Sequence, residues 1–224
     1  MDVKDVSNEA CYSAIIQGAV AAAEIAKLRK GHPVFDHPPP SQIISRFMGN
    51  RRDPTADRGQ RHMIATSQVP SPYPPCTLPL CDLTPIGISD MLLETHHRGR
   101  VAFLRVLTPP SLITALMVIV QDERGTAVLL QLYHQPKQQV IPASEILWEG
   151  RVCAVKEPFF KCATDGTYSV RIDHVSDIVW LEESDEWVPQ TWRKPAMVLS
   201  GSKFIREKGN EAIKRGKWAE AERL

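Results

Sequence analysis

Between Gly87 and about Trp192 the apolar residues recur at every second position, the period of a strand with one covered face. "GRVAFLRVL" is halted by Pro109 and Pro110, and "TALMVIVQDERG" is a nearly continuous apolar run that ends in a turn at Glu123-Arg124-Gly125. "TAVLLQLYH" alternates, with Val128, Leu130 and Leu132 on one side and Gln131 and Tyr133 on the other. After a loop, "QPKQQVIPASEILWEG", come "RVCAVKEPFFKCA", a turn at Asp165-Gly166, and "TYSVRIDHVSDIVWL". In the last of these Tyr168, Val170 and Ile172 oppose Ser169, Arg171 and Asp173, which predicts a strand buried on one face only.

Five or six strands at this spacing, with one longer connection before the fourth, predict a small closed antiparallel barrel, because closure removes exposed edges. The order resembles the oligonucleotide/oligosaccharide-binding (OB) fold. Its usual ligand face implies stacking aromatics and cations on the second and third strands. Those strands offer Val118, Val120, Leu129, Gln131 and Tyr133, a single aromatic and no Lys or Arg. Phe159, Phe160 and Lys161 are the candidate nucleic-acid contacts, but they follow Pro158 and have no platform around them, so core or edge packing is the favoured reading. Nucleic acid is not an expected partner.

The alanine-rich run from Ser7 to Lys30 predicts a helix ended by Gly31, with Lys27, Arg29 and Lys30 at its negative end. Most of the prolines lie in the stretch that follows, and they remove donors and fix the backbone. A mobile linker with one short helix after Ser41 is expected there, and its arginines Arg46, Arg51, Arg52, Arg58 and Arg61 read as solvated. The expected organisation is therefore an N-terminal helix over 1–36, a Pro/Arg-rich linker over 37–86, an OB-like barrel over 87–192 and a helical piece over 193–224.

Composition narrows the function. Lys+Arg 27 against Asp+Glu 26 leaves a formal charge of +1, so no overall field recruits nucleic acid or an acidic membrane. The five cysteines are odd in number and lack C-x-x-C spacing, which favours reduced structural thiols over metal or disulfide roles, and a cytoplasmic or nuclear setting. The longest apolar stretch, "SAIIQGAVAAAEIA", is interrupted by Gln17 and Glu24 and falls short of the roughly 20 residues of a membrane span. Asp2, Asp5 and Glu9 argue against a targeting peptide.

From Ser200 the pattern changes to a helix, a turn at Gly216 and the opening of a second helix carrying Trp218 and Ala221. "EKGNEAIKRGKWAEA" resembles the opening of a tetratricopeptide (TPR) repeat, whose unit is about 34 residues. In TPR domains that clamp the C-terminal carboxylate of heat-shock chaperones, the resemblance implies a cation and an asparagine four positions later. Arg206 and Asn210 stand there and are the candidate peptide-carboxylate contacts, since groups one helical turn apart can reach one carboxylate. Protein partners bound through these C-terminal helices are the expectation.

Taken together, "HPPPS", "SPYPPCTLPLCDLTPIGISDMLLETHHRGRVAFLRVLTPP", "VIVQDERGTAVLLQLYHQ", "VKEPFFK", "YSVRIDHVSDIVWL" and the terminal "EKGN" resemble the N-terminal part of a fungal family that couples TPR repeats to a SET (lysine methyltransferase) domain. The resemblance is strongest between Ser71 and Leu181, and it ends inside the first repeat. It implies an α+β chain: a small OB-like antiparallel β-barrel flanked by an N-terminal helix, a Pro-rich linker and a truncated C-terminal TPR helical hairpin. It also implies that S-adenosylmethionine belongs to a downstream SET domain. None of Asn8, Asn50 and Asn210 precedes a histidine, no two glycines lie two apart, and the only G-x-S lacks the last glycine of a nucleophile elbow. No catalytic, cofactor or metal residue is expected in these 224 residues, and the chain is read as a non-enzymatic scaffold, with an independent TPR-like adaptor for peptides or chaperone C-termini and an OB-fold nucleic-acid-binding module as the alternatives.

Overall fold

In a computed structural model the described residues are 17–18, 20–21, 24–50, 72–112, 115–136, 140–163, 167–182 and 184–193. The chain divides into two units, 1–182 and 183–224. In the first, residues 24–28 are helical and Gly31, at φ +78°, ends the run as the sequence predicts, because glycine alone adopts that backbone without a Cβ clash. The Gly31 N–H then donates to Leu93 O at 2.8 Å and Leu93 N–H to His32 O at 2.9 Å, which staples the segment to the sheet unit. A helix, α1 (Pro40–Asn50), follows where a short one was expected, and it contacts two of the strands, β5 and β6 below.

Among the described residues ten short strands build one mixed sheet. They are β1 (Thr84–Pro85), β2 (Thr95–His96), β3 (Arg100–Val106), β4 (Ser111–Leu112), β5 (Leu116–Gln121), β6 (Ala127–Leu132), β7 (Val152–Lys156), β8 (Phe159–Cys162), β9 (Tyr168–Ile172) and β10 (Ile178–Leu181). The hydrogen-bonded order is β10-β7-β3-β5-β6-β9-β8-β2, with β1 beside β3 and β4 beside β5. The expectation of purely antiparallel pairing is corrected at two places, because β1–β3 and β6–β9 are parallel. The second parallel pair is possible because a long connection, holding helix α2 (Ala143–Ile146), β7 and β8, separates β6 from β9.

The path is open at β10 and β2, yet it curls. β7 and β8 are parted in sequence only by Glu157 and Pro158, and they pair with β3 on one side of the path and with β9 on the other. The chain therefore draws the two sides together over one core. Into it point Leu104 and Val106, Val118 and Val120, Leu130 and Leu132, Val155, Phe160, and Val170 and Ile172, all fully or almost fully buried. Alternation on β6 is as the sequence predicts. At the β5–β6 turn Gly125 has φ +83°, and Asp122 receives Thr126 N–H at 2.9 Å and Ile88 N–H at 2.8 Å through its two carboxylate oxygens.

The prediction for β9 needs correction. All five of its residues are buried, and Ser169, Arg171 and the following Asp173 are as enclosed as the core face. Part of the cover is Tyr73, in a stretch expected to be mobile linker, with Gln131 against Ser169 and Tyr133 against Arg171. Of the four described cysteines, Cys76 and Cys153 are buried, and burial pushes the Cys153 thiol up to about 12. In the second unit the described residues 184–193 are tied by Arg193, whose guanidinium donates to Val188 O at 2.8 Å and Glu186 O at 2.7 Å.

Candidate functional site

The outer face of β9 is polar and buried and that of β8, with Phe159 and Lys161, is half-buried, and a proline-rich stretch of the same chain packs against them. Its floor is an ion pair. Arg171 Nε donates to Asp173 Oδ1 at 2.6 Å and Nη2 to Oδ2 at 2.7 Å, with the two side chains 4% and 0% exposed. A bidentate contact of this kind matches the planar guanidinium to the carboxylate. The Tyr133 ring lies over the guanidinium, 5.4 Å from its centroid.

On this floor sits Tyr73. Its ring is held by His96 at 4.2 Å, by His174 edge-on at 5.6 Å and by Phe159 stacked at 6.1 Å. Its hydroxyl donates to Arg171 O at 3.2 Å and accepts from Asp173 N–H at 3.1 Å, so it closes the end of the strand. Burial pushes the Tyr73 phenol well above its ordinary range, which keeps it a neutral donor.

The backbone around Tyr73 is read by side chains. Pro74 and Pro75 lack an N–H, so the segment cannot join a ladder as an ordinary strand does. Instead His174 Nε2 donates to Tyr73 O, Arg98 Nη2 to Pro74 O at 3.2 Å, and Lys156 Nζ to Cys76 O at 3.4 Å and Leu78 O at 3.2 Å. The Cys76 N–H donates to Asp177 Oδ1 at 2.9 Å. Burial raises the Asp177 carboxyl above its ordinary value, against the opposing pull of that N–H. Its Oδ2 and the Nε2 of His96 are buried and have no hydrogen-bond partner among the described residues.

The groove wall is itself braced. Glu157, at φ +46°, takes Gly99 N–H at 2.9 Å and pairs with Arg98. Burial alone raises the Glu157 carboxyl, but the Gly99 N–H and Arg98 outweigh it and hold it below the usual value. Next to it His97 receives Leu92 N–H at Nε2, 2.9 Å, and faces Pro158 O through Nδ1 at 3.1 Å, which fixes a neutral imidazole with its proton on Nδ1. Burial lowers its pKa accordingly.

The candidates read from sequence are divided by this geometry. Phe160 is fully buried in the core, beside His37 and Tyr168, and presents no face to a nucleobase. Phe159 and Lys161 lie on the opposite, outer face, where Phe159 packs against Tyr73 and burial lowers the Lys161 pKa. The candidate Phe159-Phe160-Lys161 stacking group is therefore split across two faces of β8. Arg206 and Asn210 lie outside the described residues. Sequence reasoning missed Tyr73, Arg98, Lys156, His174 and Asp177. One signal was available: Arg171 and Asp173, two apart on one strand face, are spaced to pair.

Among the described residues no group of three or more His, Cys, Asp or Glu side chains is arranged to hold a metal ion, and no helix is long and apolar enough to cross a membrane. The arrangement holds an extended peptide by its carbonyls, one N–H and one tyrosine.

No family model matches the chain. Over 226 aligned residues it is 50% identical to a protein of Gibberella zeae named "Methyltransferase", and the match takes in 100% of this chain and 29% of that protein. The chain is thus similar along its whole length to one part of a longer fungal methyltransferase.

Proposed function

We propose that this chain is a non-catalytic N-terminal scaffold and protein-interaction region of a TPR-SET type protein, in which methyl transfer to lysine is performed elsewhere in the polypeptide. The observation that carries this is the end-to-end 50% identity to 29% of a much longer protein named a methyltransferase. Two features support it. The buried charged groups of the outer face, Arg171, Asp173 and Glu157, are engaged in bonds that hold the fold together. The curled sheet, read as an OB-like barrel, positions segments on its outside and fills its inside with apolar side chains.

The test compares three purified proteins: this chain, the intact Gibberella zeae relative, and that relative without its matching 226 residues. Calorimetry with S-adenosylmethionine and transfer of labelled methyl to protein substrate are the readouts. The expected result is no cofactor binding by this chain, and cofactor binding retained in the shortened relative with weakened use of protein substrate. Stoichiometric S-adenosylmethionine binding by the 224-residue chain overturns the reading.

The TPR-like spacing after Ser200 adds a narrower proposal, that Arg206 and Asn210 hold a peptide's C-terminal carboxylate. A peptide with a free C-terminus then binds, its amidated form does not, and Arg206→Ala with Asn210→Ala abolishes the difference. Equal binding of the two peptides removes this assignment.

A further inference from the structure

We propose that the outer groove of β8 and β9 is a receptor for extended Tyr-Pro-Pro peptides of partner proteins, with residues 73–78 of this chain as its built-in competitor. Four observations carry the proposal. First, the occupant is recognised as a ligand is: one tyrosine in an aromatic pocket of His96, Phe159 and His174, and main-chain groups bonded to separate side chains. Peptide receptors for proline-rich segments use this division, with aromatic walls for the rigid extended chain and hydrogen bonds to its free carbonyls.

Second, most of these bonds end on side chains of the groove, so a peptide of the same sequence from another molecule makes the same set. Third, the built-in segment leaves Asp177 Oδ2 and His96 Nε2 without partners among the described residues, so the seat has bonding capacity that this occupant does not use. Fourth, the charge pair of the floor, Arg171 with Asp173, is formed within β9 and its end, and the occupant's Tyr73 bonds only to backbone groups of those two residues. A floor formed in advance binds without the cost of ordering its own side chains.

The charge of the groove selects the partner. Arg98, Lys156 and His174 all point donors at carbonyls, and Asp177 alone accepts an N–H, so the sequence read is Tyr-Pro-Pro followed by a residue with a free N–H. The built-in segment reduces apparent affinity by the fraction of molecules in which the groove is open. The residues named in the site all lie within 72–182, and the proposal does not rest on the methyltransferase reading.

The probe is a fluorescein-labelled synthetic peptide, SPYPPCTLP, matching residues 71–79, titrated into the whole 224-residue chain and followed by anisotropy. Tyr73→Ala empties the pocket and is expected to bind the probe at least roughly tenfold more tightly than the unmutated chain, as an open groove should. The control peptide SPAPPCTLP is expected to show no binding to either protein. Failure of a folded Tyr73→Ala chain to bind the probe overturns the proposal. Should Tyr73→Ala not fold, hydrogen exchange of the unmutated chain decides: saturating probe is expected to speed exchange at the Cys76 amide, and unchanged exchange overturns the proposal. Sedimentation of the unmutated chain over a range of concentrations completes the test. A monomer is expected, and a dimer that dissociates on adding the probe assigns the groove to a second copy and overturns the partner-peptide assignment.

Discussion

Replacing Asp173 with alanine is the most searching perturbation of the outer face. Arg171 then keeps its charge in a place where its side chain is 4% exposed, with both oxygens of its bidentate partner gone. Removing one member of a buried pair typically costs about 3–5 kcal/mol, because the remaining charge loses its bidentate counter-charge in a place shielded from water. Total stability for a domain is on the order of 5–15 kcal/mol, so this loss is roughly 30–50% of a mid-range value. At about 2–4 °C per kcal/mol for a chain of this size, the melting temperature falls by roughly 6–20 °C. The Tyr73 hydroxyl bonds to backbone groups of residues 171 and 173, which survive the substitution, so the loss measures the charge pair and not the clasp. Urea denaturation followed by tryptophan fluorescence gives the number, with Trp148 and Trp180 reporting from the sheet unit. The double variant Arg171→Met with Asp173→Leu removes both charges and is expected to lose less than Asp173→Ala alone. A loss below about 1 kcal/mol for Asp173→Ala, or a double variant that loses the sum of the two singles, refutes the account of β9 as a charge-locked strand.

Two other outcomes follow from the same packing. Val170→Asp or Leu130→Asp places an unpaired charge in the fully buried core and should cost about 3 kcal/mol or more, and an unchanged cooperative melt in either variant would show the strand faces to be wrongly assigned. His37, His96 and His97 have their pKa values lowered, chiefly by burial, so the unfolded chain takes up protons first as pH falls. Stability is fully present above the ordinary value of 6.5 and declines as pH drops from there toward the lower folded values, so melting at pH 5.5 should lie below melting at pH 7.5. A melting temperature that is unchanged or higher at pH 5.5 contradicts the burial of these imidazoles.

What the sequence could show depended on how far away the cause lay. The core side of β6 was legible because Val128, Leu130 and Leu132 repeat at the strand period, and that period is local. The second face of β9 was not, because its cover lies about a hundred positions earlier: Tyr73 donates to Arg171 O across a separation of 98 residues. Prolines around Tyr73 suggested a linker for a sound reason, since Pro74 and Pro75 cannot enter a ladder, but side-chain donors supply the contacts that a ladder cannot. Phe159 and Phe160 looked equivalent because Pro158 hides where the alternation restarts. The pairing of β8 with β9 decides it, sending Phe160 inward and Phe159 to Tyr73. The parallel partnership of β6 and β9 was also out of reach, because strand period says which face is covered and not which strand is adjacent.

The two layers of the outer face differ in how they come apart. β9 is held by ladders on both sides, to β6 and to β8, and by an ion pair within itself, so releasing it breaks many bonds together. Residues 73–78 are held by individual bonds from Arg98, Lys156, His174 and Asp177 and by one ring, so they can lift while the ladders stay intact. Local opening costs more free energy where more bonds must break in one cooperative step, which puts the proline-rich cover at the low end and its floor at the high end. Such a pairing of releasable cover with fixed floor is what competition by an outside peptide requires. It also separates the two kinds of variant: Tyr73→Ala should speed exchange of the Cys76 amide and leave the amides of residues 169–172 protected, whereas Asp173→Ala should weaken protection of residues 169–172 and leave the Cys76 bond to Asp177 in place.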